Sequence, residues 1–130
     1  MLLGIRTDSP SVQLVLCNGD GAIVERVDWQ ADRALARYLL KRLAELLERH
    51  GTSFANLEGL VVFKGPGSFT GLRIGLSVMN TLAYSQKIAI VGTSGDGWLA
   101  DGLKRLSRGE NDQVVLPDYG AEARITLPRK

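Results

Sequence analysis

Three short strand-like stretches open the chain, and the second and third alternate apolar and polar residues with the period of two that β-strands show. The pattern predicts strands over Leu2–Thr7, Ser11–Cys17 and Ala22–Trp29. The segment Asn18–Gly21 separates the last two, and its Asn and Gly residues readily adopt the positive φ angles of a tight turn. The sequence therefore predicts a β-hairpin, which the first strand extends to a three-stranded meander.

The pattern changes to a helical period after the third strand. From Asp32 to His50, leucines recur three or four residues apart and charged residues take the other positions, which predicts an amphipathic helix. Asp28 or Asp32 is expected to cap its first turn. Gly51 is expected to end it in the left-handed conformation that glycine tolerates.

Two further strands and two further helices are predicted in the middle of the chain. The continuous apolar run Gly59–Phe63 is typical of a strand that is buried on both faces. A helix over Ser68–Ser85, a short strand over Ile88–Val91 and a weaker helix over Ser94–Ser107 follow it. This order of elements predicts an α/β fold, a mixed five-stranded sheet with helices on both faces.

The end of the chain differs from the rest. Residues 1–107 are predicted to form one lobe, and residues 108–130 a C-terminal tail that is too short to build a second lobe. Only Val114–Leu116 is strand-like within the tail. This apolar triplet is expected to pack or pair against the lobe, because it gains little while it stays in solvent.

Composition narrows the chemistry that the chain can perform. The 130 residues are 45% hydrophobic and 23% charged, with 16 basic against 14 acidic residues, which is typical of a globular domain and too balanced for a surface that coats nucleic acid. The single cysteine, Cys17, excludes an internal disulfide, and the single histidine, His50, excludes most histidine- or thiolate-rich metal sites. No apolar run approaches the length of a membrane span, and the first residues turn polar too early for a signal peptide. We expect a cytoplasmic protein without a cofactor or metal and without membrane contact.

A glycine-rich segment, Lys64–Gly75, carries the most specific signal. It follows a buried strand and opens a helix, the position in which glycine loops hold phosphate groups. Its spacing does not match the dinucleotide pattern, because Thr70 takes the place of the third glycine, nor the phosphate-loop pattern, because Lys64 precedes the loop. The structural interpretation is that the glycines permit a tight turn and that Ser68 or Thr70 caps the helix.

The second helix has an unusually wide apolar face. Its apolar arc is roughly 200° wide, against the ~100° stripe that burial on one side requires. Gly71 and Gly75 lie one turn apart on this arc, so another helix could approach closely there. Either a partner helix or neighbouring elements of the same lobe could cover the arc, and the partner helix is the preferred hypothesis.

At this helix the sequence resembles a known family. The run Gly65–Gly75 is similar to the signature of the bacterial TsaB (YeaZ) family, whose members act in making threonylcarbamoyladenosine (t6A) on tRNA. Leu2–Thr7 resembles the first strand of that family, and Val91–Ser94 resembles the strand end that follows the signature helix. Leu116–Gly120 and Ile125–Pro128 resemble the family's C-terminus. The segment between, which forms most of a second lobe in the family, is missing.

The resemblance implies an actin-like, hexokinase-like (ribonuclease H-like) lobe and a scaffold role without catalysis. It implies dimerisation with a TsaD-like catalytic subunit, a TsaE-like ATPase in the same complex, only indirect contact with tRNA, and support for t6A formation at adenosine 37 of tRNA. The chain alone is expected to form a homodimer. Arg6 stands where the superfamily's first strand usually carries an Asp that helps to organise metal and phosphate, and a guanidinium cannot ligate Mg²⁺. The alternative is a small nucleotide- or phosphate-binding enzyme that uses the glycine loop 65–71.

The helical pattern and the resemblance together predict two sets of site residues. The wide apolar arc predicts an association surface on the second helix at Gly71, Gly75, Val78, Met79 and Leu82. Because the lobes of this family are expected to meet through their first two helices, Leu39, Leu43 and Leu46 of the first helix are expected to supply neighbouring contacts. The signature loop consists of Gly65, Pro66, Gly67, Ser68, Phe69, Thr70 and Arg73. No catalytic, cofactor-binding or metal-binding residue is predicted.

Overall fold

A computed structural model describes residues 1–67 and 70–118 of the chain. The described residues form five strands and three α-helices, which are β1 (Leu2–Arg6), β2 (Ser11–Cys17), β3 (Ile23–Gln30), α1 (Leu35–Arg49), β4 (Gly59–Phe63), α2 (Thr70–Gln86), β5 (Ala89–Thr93) and α3 (Trp98–Ser107). Each predicted strand and helix is present, and its ends differ from the predicted ends by at most a few residues. The prediction that Ser68 opens or caps the second helix concerns a residue outside the described ranges.

The strands form one mixed sheet in the order β3-β2-β1-β4-β5. The first three strands pair antiparallel, as the meander predicts, whereas β1 pairs parallel to β4 and β4 parallel to β5. Parallel pairs need a crossover connection, and α1 and α2 lie in these connections. The mixed five-stranded sheet of the predicted α/β fold is confirmed.

Helices cover both faces of the sheet. α1 and α2 pack against each other and against strands β1, β2, β4 and β5, whereas α3 packs on β4 and β5. On the α3 face, two strand glycines leave room for the helix: the Leu99 side chain fills the space beside Gly4, and the Leu106 side chain fills the space beside Gly59. These close approaches let a ten-residue helix lie directly on the sheet.

The two ends of α1 compare differently with the sequence. Gly51 has φ +70° and follows the helix in the left-handed conformation, as predicted. The predicted cap is wrong: α1 begins after a short 3₁₀ turn over Asp32–Ala34, its N-cap is Ala34, and no side chain caps it. Asp32 instead has φ +49°, and its carboxylate accepts a hydrogen bond from Gln30 at 3.0 Å.

The tail folds back along β5, one of the two edge strands of the sheet. The side chains of Asn111 and Asp112 accept hydrogen bonds from the backbone N–H groups of Ile90 and Gly92, at 3.1 and 2.9 Å. Asp112 N–H donates to the Ile90 carbonyl, and Arg105 donates to the Gly92 carbonyl. The edge groups of β5 at these two residues are therefore bonded without a sixth strand.

The predicted packing of the tail triplet is confirmed for its central residue. Val115 is buried, whereas Val114 and Leu116 remain 60% and 72% exposed. The Val115 side chain fills the space beside Gly92, so that it takes the place where a larger residue on β5 would lie. The triplet forms no strand; it is held by side-chain hydrogen bonds instead.

Candidate functional site

Four side chains are in contact at the carboxyl ends of β1 and β4, namely Arg6, Asp8, Phe63 and Trp98. This edge of an open α/β sheet is where ligands usually bind. Arg6 forms a bidentate ion pair with Asp8, with Nε–Oδ1 at 2.8 Å and Nη2–Oδ2 at 3.1 Å. The guanidinium carbon lies 3.9 Å from the centre of the Phe63 ring, which meets Trp98 edge to face at 6.3 Å. A cation paired with its own carboxylate therefore stands where a metal-binding acid would be needed.

The described part of the signature loop is joined to the tail. Gly65 has φ +118°, a conformation that side chains rarely adopt, and the backbone of Asp118 fills the space where a Cβ would stand. Gly67 N–H donates to the Asp118 carbonyl at 3.0 Å, and Asp118 N–H donates to the Lys64 carbonyl at 2.7 Å. The Gly67 N–H is thus already bonded within the chain, so it is not a free donor for a phosphate. Ser68 and Phe69 lie outside the described residues, Pro66 is exposed, and Thr70 and Arg73 are exposed on the first turns of α2.

The glycines of α2 face the sheet. The Thr7 hydroxyl donates to the Gly71 carbonyl at 2.8 Å. A Cβ on Gly75 would overlap the same Thr7 side chain. The Gly75 position therefore accommodates the end of β1, and the Gly71 carbonyl is bonded to the same residue. A partner helix on this face of α2 stays a prediction.

Most of the predicted association residues are interior residues of the lobe. Only Val78 is partly exposed, and seven of the eight are buried by the chain itself, namely Gly71, Gly75, Met79, Leu82, Leu39, Leu43 and Leu46. The wide apolar arc of α2 has an internal explanation, because the sheet, α1 and the tail each cover part of it. A surface on these two helices therefore consists of Val78 together with side chains outside the predicted set.

The surface that α1 and α2 leave open is a shallow groove, here called the α1–α2 groove. One part, of about 430 Å³, is lined by Ala36, Thr70, Arg73, Ile74, Ser77 and Val78. A second part, of about 600 Å³, shares Thr70 and Ile74 with the first and is otherwise lined by Pro10, Asp32, Arg33, Leu35 and Gly71. Leu40, one turn beyond Ala36 on α1, is 49% exposed. Ala36, Leu40, Ile74 and Val78 thus form an apolar strip on the two helices, and the described part of the chain leaves this strip uncovered.

Basic residues border this groove. Arg33, exposed in the 3₁₀ turn before α1, lines the groove, and Arg37 and Lys41 are exposed one turn apart on α1. Arg73, exposed on α2, is the only charged residue of that helix. The sequence pattern predicts these charged residues on the polar side of an amphipathic helix, and it did not predict a groove beside them.

Cys17 and His50 belong neither to the Arg6–Asp8 site nor to the α1–α2 groove. Cys17 is fully buried, and burial raises the pKa of its thiol, an effect that the nearby Arg26 charge partly offsets. His50 lies 2.7 Å from Glu25, which also binds Arg49. Hydrogen bonds from Arg49 and His50 lower the pKa of Glu25. Within residues 1–67 and 70–118, no group of three or more His, Cys, Asp or Glu side chains could hold a metal ion.

Comparison with known proteins identifies the family. The sequence model of TsaD, the tRNA N6-adenosine threonylcarbamoyltransferase, matches residues 28–102. The chain belongs to this family. Within the family it is of the TsaB (YeaZ) type, as the resemblance implies. The TsaB protein of Escherichia coli K12, a tRNA threonylcarbamoyladenosine biosynthesis protein, is 30% identical over 104 residues, which are 80% of this chain and 44% of that protein.

Solved structures agree with this assignment. YeaZ from Pseudomonas aeruginosa has a TM-score of 0.66 at 25% identity, over 83% of this chain and 49% of that one. An uncharacterised protein from the same organism, described as similar to the peptidase YEAZ, has a TM-score of 0.65 at 26% identity, over 72% of this chain and 42% of that one. The actin-like fold is therefore confirmed for this lobe.

The chain spans less than half of the length of these relatives, since it covers 44% of the Escherichia coli protein and 45% of the Haemophilus influenzae TsaB. A tRNA N6-adenosine threonylcarbamoyltransferase from Syntrophus aciditrophicus is 32% identical over 72 residues, which are 55% of this chain and 20% of that enzyme. Among the described residues, none of the helices is both long and apolar enough to cross a membrane.

Proposed function

We propose that the chain is a non-catalytic scaffold subunit in t6A modification of tRNA. It binds a TsaD-type catalytic subunit through the α1–α2 groove, in a cytoplasmic complex that also contains a TsaE-type ATPase. The Arg6–Asp8 ion pair over Phe63 carries the non-catalytic part of the proposal. A nucleotide–Mg²⁺ complex needs free carboxylate oxygens at the strand ends, and the Asp8 carboxylate is engaged by a guanidinium.

The groove supports the scaffold part of the proposal. A protein partner needs an exposed apolar strip with a polar border, and Leu40, Ile74 and Val78 provide the strip. The family assignment names the reaction in which relatives act. The alternative enzyme, which would bind phosphate at loop 65–71, is less well supported because the tail occupies the Gly67 N–H. Peptidase chemistry is not proposed, because the only histidine, His50, is paired with Glu25.

Reconstitution tests the proposed function. Purified TsaD-type and TsaE-type proteins of the same organism are incubated with tRNA, ATP and a threonylcarbamoyl donor, with and without this chain. We expect t6A, measured by mass spectrometry of digested tRNA, to accumulate only when the chain is present. The chain alone should neither bind ATP–Mg²⁺ in a calorimetric titration nor release phosphate.

A matched pair of variants locates the surface in the same assay. Leu40→Asp places a charge in the apolar strip and should abolish the stimulation of t6A formation. Tyr84→Asp changes a residue that is 86% exposed near the far end of α2 and should leave the stimulation unchanged. Equal t6A with and without the chain would contradict the scaffold role.

A further inference from the structure

Strand β3 is an edge of the sheet that the described part of the chain leaves uncovered. It stands first in the strand order and pairs on one side only, with β2. The other edge strand, β5, is bonded along its free side by Asn111, Asp112 and Arg105. Among residues 1–67 and 70–118, none bonds the free side of β3 in this way. An uncovered edge of this kind presents backbone N–H and C=O groups to which another strand can pair.

The ladder between β2 and β3 determines which backbone groups of β3 point outward. Ala31 N–H donates to the carbonyl of Pro10, which lies directly opposite, at 3.0 Å. Hydrogen-bonded pairs recur at every second residue of an antiparallel ladder, and this half of the ladder is regular. Arg26 and Asp28 fall between the residues that bond β2. The N–H and C=O groups of Arg26 and Asp28 therefore point away from β2, toward the free side.

The side chains of Arg26 and Asp28 lie on the face of the sheet that α1 does not cover. On the α1 face, Arg42 lies over the Trp29 ring at 5.1 Å, and α1 also binds Glu25. Neighbouring residues of a strand alternate between the two faces, so Arg26 and Asp28 project from the opposite face. Both side chains are exposed, and neither forms an ion pair among the described residues.

We propose that β3 pairs antiparallel with β3 of a second copy of this chain, in a two-fold dimer whose axis passes beside Val27. In this register Arg26 of each copy lies directly opposite Asp28 of the other copy, once on each side of the axis. Both residues present outward backbone groups, so each pair exchanges two backbone hydrogen bonds. Opposite charges directly across an antiparallel ladder stabilise the pairing further. The sheets of the two copies join into one.

The order of the two charges selects both the register and the second copy. An axis moved by one residue places Arg26 opposite Arg26 or Asp28 opposite Asp28, and like charges in directly opposite positions destabilise a ladder. A basic residue followed two positions later by an acidic one is complementary to itself when the strand direction is reversed. A strand of another protein would need the same pattern, whereas a second copy of the chain carries it.

This contact is separate from the α1–α2 groove. Helix α1 packs on β2, one strand inside the edge, and the groove lies between α1 and α2. Pairing through β3 therefore leaves the apolar strip of the groove uncovered. The two surfaces can be altered independently.

Two charge variants and their mixture test the register. Arg26→Asp leaves acidic residues at both positions, and Asp28→Arg leaves basic residues at both, so neither variant can form the proposed ion pairs with itself. We expect each variant to dimerise at least about tenfold more weakly than the unaltered chain in sedimentation equilibrium, because two attractive pairs become repulsive. An equimolar mixture of the two variants should regain the dimer, since opposite charges then meet at both contacts.

The controls make the same charge changes on another element. Lys104→Asp and Asp101→Arg alter exposed residues of α3, which packs on β4 and β5. Both controls should dimerise as the unaltered chain does. Circular dichroism verifies that all four variants keep the native fold.

Amide hydrogen exchange reports the backbone bonds themselves. When the chain is concentrated enough to be mainly dimeric, the N–H groups of Arg26 and Asp28 should exchange about tenfold more slowly than in dilute solution. The N–H group of Val27 should change less, because it already bonds β2 in each copy.

Three results would overturn this proposal. A chain that remains monomeric at about 1 mM has no self-association through β3 or any other surface. A dimer that both charge variants retain and that Leu40→Asp abolishes would lie at the α1–α2 groove instead. If the mixture fails to regain a dimer that each single variant has lost, Arg26 and Asp28 do not face each other.

Discussion

The side chain of Asn80 on α2 binds the backbone of Val115 at both of its polar groups. The amide Nδ2 donates to the Val115 carbonyl at 2.9 Å, and Oδ1 accepts from the Val115 N–H at 2.8 Å. These two bonds imitate the pairing of one strand residue with another, and they fix the tail at the point where Val115 is buried beside Gly92.

The first prediction concerns this attachment. Truncation after Arg108 removes the burial of Val115, which contributes about 1.5–3 kcal/mol, and it exposes the bonded edge of β5. We expect the melting temperature to fall by at least about 5 °C. Asn80→Ala should cause part of this loss, whereas Thr81→Ala, on the exposed side of the same helix, should have little effect. An unchanged melting curve after truncation would mean that the tail contributes no stability.

The second prediction uses the close contact of Gly75 with Thr7. Helix propensity alone favours Gly75→Ala by about 0.8–1 kcal/mol. Overpacking against the Thr7 side chain should cost about 1–3 kcal/mol, so the net effect is destabilising. Urea denaturation measures the difference, with Gly97→Ala as the control because a Cβ there meets Asp101 at an ordinary 3.7 Å. A stabilised Gly75→Ala protein would show that β1 and α2 move apart without cost.

The third prediction concerns the stability of the fold at acidic pH. Hydrogen bonds from Arg105, and in addition from the Gly92 N–H, lower the pKa of Asp112, against a smaller opposing effect of burial. A carboxylate whose pKa is lowered by folding stabilises the fold above its unfolded pKa of about 3.9, and the stability is lost as pH falls through the lower folded value. We expect the melting temperature of Asp112→Asn to fall less than that of the unaltered chain between about pH 5 and pH 2.

The control for this acid effect is Asp96→Asn, which alters an exposed carboxylate that forms no ion pair among the described residues. Its melting temperature should follow that of the unaltered chain at every pH. Identical pH profiles for Asp112→Asn and the unaltered chain would mean that the Arg105 pair does not couple folding to protonation.

The fourth prediction concerns Cys17. Its side chain is fully buried and its pKa is raised, so both access and the thiolate fraction are reduced in the folded state. Labelling with a chromogenic thiol reagent should be at least about 100-fold slower for the folded chain than in denaturant. Rapid labelling of the folded chain would indicate that β2 opens near the hairpin turn.

The fold could be predicted from the sequence because each pattern that indicates an element depends on residues close together in the chain. The turn Asn18–Gly21, the helix end at Gly51 and the apolar run Gly59–Phe63 each depend on neighbouring residues, and all three occur as predicted. The N-terminus of α1 could not be predicted in this way. Asp32 has a positive φ and binds Gln30, so the tertiary path of the chain overrides its usual preference for capping.

The candidate site shows where local patterns stop being informative. Periodicity identifies the apolar arc of α2, but it cannot distinguish an arc covered by a partner from one covered by the same chain. The covering elements are distant in sequence: Thr7 lies 64 residues from Gly71, and Asn80 lies 35 residues from Val115. For this reason the predicted interface contained interior residues such as Leu39 and Met79, while the exposed Leu40 was overlooked.

The tail along β5 has a consequence for how copies of this lobe could join. A sheet with two open edges can add strands at both sides and so grow into a filament, whereas a sheet with one open edge can only pair once. At Ile90 and Gly92 the backbone groups that would receive another strand are occupied, so within the described residues β3 is the edge that remains open. Two copies that pair through their β3 strands would have no second open edge among the described residues to which a third copy could add. The tail therefore opposes open-ended polymerisation of the lobe through its sheet.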